Sequence, residues 1–168
     1  MILTHFSAKQ FNFNPYHEYP VRHPRAMKGL ENFKPHGLWL SDESDYGWSH
    51  WCKDNDYGSL ECRKDFQIDL SHVFVLTNYY EIKAFTEYFR LNHHMENFHI
   101  DWARLKKTHT GILITPYCWE ARLQFLWYYG WDCASACIWD LRILKEETHG
   151  KGNQKVKQKE TNQEEITV

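Results

Sequence analysis

Apolar residues recur along this chain with two periods, one typical of strands and one typical of helices. The apolar opening at residues 1–7 and the compact apolar run at residues 73–77 predict strands, the second buried on both faces. From residue 80 to residue 91 the apolar side chains recur at helical spacing, and Asn78 is placed to cap that helix. Strands mixed with helices in this way predict an α+β fold.

Other segments with the same two periods complete the predicted set of elements. Further strands are predicted at residues 38–40, 66–70, 112–115 and 137–144, and further helices at residues 44–55, 101–107 and 117–129. The last of these helices is predicted from an apolar stripe made of Trp119, Leu123, Leu126 and Trp127. Ser41, with Asp42, is expected to cap the helix at residues 44–55, whose tryptophans are expected in the core.

The composition indicates one domain followed by a polar tail. The 168 residues carry a formal net charge of -2, which gives no global basic field toward nucleic acid or membranes. Residues 1–145 are predicted to form the globular domain. From residue 146 to residue 168 there is too little apolar surface to offset the entropy cost of ordering, so this segment is predicted to be a flexible tail.

Cysteine usage and hydropathy bear on where the protein works. The five cysteines are an odd number, and the chain opens without a signal-peptide pattern, so reduced thiols and a cytoplasmic location are expected. No apolar run approaches the roughly 20 residues that cross a bilayer, so a membrane protein is not expected. His93, His94 and His99 lack the ligand spacing of known zinc sites, and no metal is expected.

The candidate chemistry lies at residues 128–144. There a glycine-containing aromatic turn carries one carboxylate, Asp132, just before a buried strand, and such a turn keeps an acid reachable from a cleft. Asp132 could instead be a turn residue that bonds its own backbone. Asp140, further along, is expected to face solvent or to pair with Arg142, and Glu120 is expected to form a surface pair with Arg122.

Two earlier segments offer partners for that acid. His5 and Ser7 alternate onto one face of the first strand, although a buried imidazole satisfied locally is the alternative for His5. Trp39 and Ser41 likewise share a face of the second strand. Between these strands, residues 14–35 form a proline-rich loop with a basic middle, which either covers a phosphate-bearing ligand or is simply solvated.

Three motifs in this order resemble the ADP-ribosyltransferase fold: LTHFS, KPHGLWLS and GWDCASACIWD. His5 resembles the first-strand histidine of the His-Tyr-Glu branch, which includes the poly(ADP-ribose) polymerases and diphtheria toxin. Trp39 and Ser41 resemble the aromatic and hydroxyl positions of that branch's second strand. The late-strand glutamate of the family has no direct counterpart, and Asp132, Ser135 and Asp140 are the alternatives for its position. The resemblance implies a single compact domain with two small mixed or antiparallel sheets and flanking helices.

The resemblance implies an enzyme that transfers ADP-ribose from NAD to a protein or nucleic-acid acceptor. In this interpretation Asp132 stabilises the positive charge that develops on the ribose, His5 orients the ribose, and Trp39 stacks on the nicotinamide. The residues implied in binding the cofactor are His5, Ser7, Trp39, Ser41, Arg22 and Arg25, the two arginines toward the pyrophosphate.

Three alternative functions remain open. A domain that lacks the family's glutamate could bind NAD or another nucleotide without catalysis. The high aromatic content could instead form the interface of a non-enzymatic interaction or inhibitor protein. A metal-dependent enzyme is the remaining alternative, raised by the eleven histidines.

Overall fold

Seven strands form one mixed sheet in the computed structural model, which describes residues 1–20, 33–91 and 99–147. The strands are β1 (Ile2–Ser7), β2 (Leu38–Ser41), β3 (Cys62–Ile68), β4 (Val73–Leu76), β5 (Gly111–Ile114), β6 (Ser135–Ile138) and β7 (Leu144–Glu146). The helices are α1 (Trp48–Asn55), α2 (Tyr79–Phe89), α3 (Trp102–Lys106), α4 (Trp119–Arg122) and α5 (Leu126–Tyr129), with one 3₁₀ turn at Leu141–Ile143. The predicted α+β class is therefore confirmed.

The order of strands in the sheet is β4-β5-β6-β2-β1-β3-β7, and only β4 and β5 run parallel. The expectation of two small sheets is wrong, because β1 and β2 pair with each other. Their pairing joins one half of the sheet, β4-β5-β6-β2, to the other half, β1-β3-β7. They pair at one register position, where Thr4 pairs with Ser41, whereas β1 pairs with β3 along its whole length. The junction between the halves is therefore narrow, and β1 and β2 are linked only near Thr4.

The central strands β5 and β6 are buried on both faces. Ile112 and Cys137 face a cluster formed with helices α2 to α5, whereas Leu113 and Ile138 face a second cluster that includes Leu3. Strand β4, predicted to be buried on both faces, lies at the sheet edge instead, and Val75 there is 37% exposed. A compact apolar run shows that a strand forms but does not determine its position in the sheet.

Local capping explains two helices, α2 and α3, that start within one residue of their predicted positions. The side chain of Asn78 accepts a hydrogen bond from the backbone N–H of Glu81 at the start of α2. At α3 the side chain of Asp101 accepts from the backbone N–H of Arg104. Both predictions are confirmed, because each rests on contacts within four residues.

The single helix predicted at residues 117–129 is wrong. The segment forms the one-turn helices α4 and α5, and Trp119, Leu123 and Leu126 of the predicted stripe are exposed. Trp127 of the stripe is buried, together with Tyr117, Ala121, Phe125 and Tyr128 from outside it. The chain bends between the helices because Phe125 and Tyr128 enter the core, which a continuous helix with the predicted stripe would not allow.

The ends of the last two predicted segments also differ from the structure. The strand predicted at residues 137–144 ends at Ile138, since Asp140 caps the 3₁₀ turn through the backbone N–H of Arg142. Strand β7 reaches Glu146, and residues 148–168 of the predicted tail lie outside the described residues. Within the described residues, no helix has the length and hydrophobicity that a bilayer span needs.

Candidate functional site

A cavity of about 470 Å³ opens beside the junction of β1 and β2. His5 of β1, Trp39 of β2 and Asp132 of the turn before β6 all line it. These three side chains come from segments far apart in the sequence. The narrow junction between the two halves of the sheet brings them to one cavity, because β2 pairs with β6 on one side and meets β1 on the other.

His5 is held in one orientation by β2. Its Nδ1 atom lies 3.0 Å from the carbonyl oxygen of Trp39, and because a carbonyl only accepts, Nδ1 carries the proton and donates. Burial lowers the pKa of His5, and the bond to Trp39 opposes that shift in part. The neutral ring therefore has Nε2 as an acceptor, and its face packs on Phe11 at 4.7 Å between ring centroids.

Asp132 is a partly exposed carboxylate between two cations. Its Oδ1 atom lies 3.5 Å from the Arg122 guanidinium, and its Oδ2 atom lies 3.9 Å from the Lys34 ammonium. Arg122 therefore pairs with Asp132, and the expected pair of Arg122 with Glu120 is wrong. Arg122 also donates to the hydroxyl of Tyr117 at 2.6 Å, which in turn donates to the backbone carbonyl of Trp131. This chain of bonds holds the guanidinium beside the acid.

Lys34 is a cavity residue that the sequence analysis did not single out. Its ammonium lies 5.3 Å from the centroid of the Trp39 ring, a cation–π distance, as well as near Asp132. Partial burial lowers the pKa of Lys34, and the charge of Asp132 opposes that shift. No local pattern marks this lysine, because both of its partners belong to other segments of the chain.

Ser41 is committed to contacts within the protein. Its Oγ atom accepts the backbone N–H of Trp48, the first residue of α1, at 2.6 Å. The N-cap residue is Gly47, so the prediction that Ser41 and Asp42 cap a helix starting at residue 44 is wrong. The hydroxyl donates its only proton to Glu43, which also accepts from Ser49. Glu43 was missed in the sequence, although an acid two residues after a strand is the available signal.

Aromatic side chains of α1 form a wall of the cavity. The rings of Trp48 and Trp51 stack with centroids 4.9 Å apart, Tyr57 packs edge-on against Trp51, and all three side chains line the cavity. The expectation that these tryptophans lie in the core is wrong. Cys52 is the buried residue of α1, whereas Trp48 and Trp51 line the cavity.

The three alternatives for the acid position differ in location. Asp132 and Ser135 line the cavity with His5, and the hydroxyl of Ser135 donates to the carbonyl of Cys133. Asp140 borders a separate cavity of about 400 Å³ and forms the expected pair with Arg142, at 2.6 Å. Of the three alternatives, Asp132 is therefore the carboxylate that lines the cavity with His5.

The remaining predicted site residues lie elsewhere. Ser7 donates to the backbone carbonyl of Lys9 and lines a smaller neighbouring cavity of about 290 Å³, which His5 also borders. Arg22 and Arg25 lie outside the described residues. His93 and His94 lie outside them as well, and the described residues contain no group of three His, Cys, Asp or Glu side chains placed to hold a metal.

No protein-family model, curated protein or solved structure matches this chain. The cavity brings together an oriented imidazole, a carboxylate between two cations, and the aromatic side chains of β2 and α1.

Proposed function

We propose that the protein is an NAD-dependent ADP-ribosyltransferase that modifies a protein or nucleic-acid acceptor. One observation carries the proposal: the side chains of His5, Trp39 and Asp132, from three separate segments, line the same cavity. His5 and Trp39 are positions at which the chain resembles the His-Tyr-Glu branch of that family, and Asp132 is one of the alternatives for the position of its late-strand glutamate. A volume of about 470 Å³ lies within the range of small-molecule sites and suits a nicotinamide with its ribose.

Aromatic faces support binding of a flat, positively charged ring. The nicotinamide of NAD carries a positive charge, and such a ring is attracted to the electron-rich face of an indole. Trp39 on β2 and the stacked pair of Trp48 and Trp51 on α1 supply such faces in the cavity. In this proposal Trp39 contacts the nicotinamide, beside the Asp132 carboxylate.

Cleavage of NAD would then use the charges of the cavity. The bond between ribose C1′ and the nicotinamide nitrogen breaks, its electron pair neutralises the ring, and positive charge develops on the ribose. The Asp132 carboxylate stabilises that charge, and the acceptor's nucleophile bonds to C1′ as it loses its proton. The Nε2 atom of His5 accepts a ribose hydroxyl and orients the sugar.

The test is release of nicotinamide from NAD by the purified protein in the presence of a cell lysate as acceptor source. Asp132→Asn is expected to lower the rate about 10²-fold or more, as loss of a preorganised electrostatic contact does. Asp140→Asn is the matched control, because Asp140 is also a partly exposed carboxylate paired with an arginine but lies outside the cavity. Equal rates for the protein and both variants would contradict the role of Asp132.

A second candidate is a nucleotide-binding module without catalysis. It is favoured by the pairing of Asp132 with both Arg122 and Lys34, and by Ser135 at the start of β6 where a carboxylate could have stood. Calorimetry separates the two candidates. NAD binding without nicotinamide release supports the module, and absence of NAD binding contradicts both.

A third candidate, an interaction protein, is favoured by exposed apolar side chains on α4 and beyond. Trp119 is 57% exposed and Leu123 is 83% exposed. The cavity that His5 and Asp132 share favours a ligand-binding function over this one.

A further inference from the structure

Lys34 lies where a positively charged ligand ring would make its best contacts. Its ammonium is 3.9 Å from a carboxylate oxygen of Asp132 and 5.3 Å from the centroid of the Trp39 ring. A carboxylate and an indole face are the two groups that attract a cationic ring. Within the free protein, the side chain of Lys34 makes both contacts.

Gly130 determines the path of the Lys34 side chain. A Cβ atom at position 130 would lie 2.6 Å from Cε of Lys34 and 2.6 Å from Cε1 of Phe33. The backbone of Gly130 is in the ordinary helical region, with φ at −75°, so the glycine is needed for close approach and not for its conformation. The lysine side chain thus crosses the turn that carries Asp132 in space that a Cβ atom at position 130 would need.

The contacts of the two cations beside Asp132 indicate which of them a ligand can displace from the carboxylate. With Arg122 and Lys34 both adjacent, two positive charges face one negative charge, and this arrangement stabilises a further positive charge poorly. Arg122 is held by the Tyr117 hydroxyl at 2.6 Å. The Lys34 side chain is 42% exposed, and an exposed ion pair at 3.9 Å contributes little free energy.

We infer that Lys34 is a specificity-determining residue that occupies the cation position of the free site and is displaced by a positively charged ligand ring. The inference rests on the proposed function, because displacement leaves the Asp132 carboxylate facing the ligand. A neutral ring has no positive charge with which to replace the ion pair that Lys34 forms with Asp132. The site therefore selects cationic rings, such as oxidised nicotinamide, over their neutral forms.

The test is calorimetric titration with 1-methylnicotinamide, a cationic ring without phosphate groups. Lys34→Met removes the competing charge and keeps a long side chain over Gly130. The variant is expected to bind the probe about fivefold more tightly, the scale of one cation–π contact. Lys34→Arg keeps the charge and is expected to bind like the unmodified protein.

Lys106→Met is the matched control. The Lys106 ammonium lies 5.2 Å from the ring of Trp139, so it has a similar aromatic contact, but it lies outside the lining of the cavity. This variant is expected to leave the affinity for the probe unchanged. Lys34→Gln serves as a second variant without a charge at position 34. Thermal unfolding of each variant establishes that the proteins used in the titrations are folded.

The outcomes separate the inference from the proposed function. Weaker or unchanged binding of the probe to Lys34→Met and Lys34→Gln overturns the inference alone, since weaker binding means that the lysine contacts the ligand directly. Absence of probe and NAD binding to every variant contradicts the proposed function, and the inference with it.

Discussion

The Nδ1 atom of His5 lies 3.0 Å from the carbonyl oxygen of Trp39, beside the single point where β1 and β2 pair through their backbones. The hydrogen bond from the His5 imidazole links β1 to β2 next to the position where their backbone pairing ends. The same bond assigns the Nδ1 proton and leaves Nε2 as an acceptor. A structural contact between two strands therefore also determines which ring nitrogen can accept a hydrogen bond.

The pKa of His5 makes stability depend on pH in a known direction. Burial lowers this pKa below the ordinary value of 6.5, so the unfolded chain binds more protons than the folded one as the pH falls below 6.5. The contribution of His5 is present above pH 6.5 and is lost as the pH falls through the folded pKa. We expect the free energy of unfolding in urea to fall more steeply with acid for the unmodified protein than for His5→Gln. Parallel pH profiles would contradict this.

Gly130 allows a close approach that a larger residue would prevent. Gly130→Ala would place a methyl group 2.6 Å from the side chains of Lys34 and Phe33. We expect a loss of about 1 kcal/mol in the free energy of unfolding, the low end for overpacking, because the end of a lysine side chain can move. Urea denaturation measures this loss. A variant with the same free energy of unfolding as the unmodified protein would show that the turn accommodates a methyl group at position 130.

Ser41 is expected to matter for stability rather than for ligand binding. Its hydroxyl accepts from the backbone N–H of Trp48 and donates to Glu43, so Ser41→Ala removes both hydrogen bonds at a cost of about 1 kcal/mol. Ser44→Ala is the control, because Ser44 is exposed and its hydroxyl bonds only the nearby Asp42 among the bonds described. Urea denaturation and NAD calorimetry on both variants test this. A large loss of NAD affinity with unchanged stability would contradict it.

Thr86 satisfies a buried indole in the core. Its hydroxyl accepts from Nε1 of Trp127 at 2.8 Å and donates to the carbonyl of Ile82, and the residue is fully buried. Thr86→Val keeps the shape but leaves the indole N–H unpaired, which costs about 1 to 3 kcal/mol. Thr108→Val, at an exposed position, is expected to be nearly neutral. Equal unfolding midpoints for the two variants would contradict this assignment.

Features that depend on neighbouring residues could be predicted from the sequence. The caps at Asn78 and Asp101 act within one helical turn, and both helices start within one residue of the predicted position. The alternation that places His5 and Trp39 on strands is equally local. These elements required no knowledge of how the segments pack together.

Features that depend on packing between distant segments were missed. The exposed stripe of Trp119 and Leu123 fits helical spacing, but the core is filled from other positions of that segment. The cations beside Asp132 come from two other segments, so nothing adjacent in the sequence identifies Lys34 or Arg122 as its partners. The cavity lies beside the one position where β1 and β2 pair, and periodicity does not determine strand pairing.

We propose that the cavity beside the junction of β1 and β2 binds NAD, and calorimetric titration with NAD measures this binding. We expect saturable binding to the unmodified protein, loss of that binding in Trp39→Leu, and retention in Trp139→Leu, whose indole lies outside this cavity and donates to the carbonyl of His109. Failure of the unmodified protein to bind NAD, or equal binding by both tryptophan variants, would contradict it.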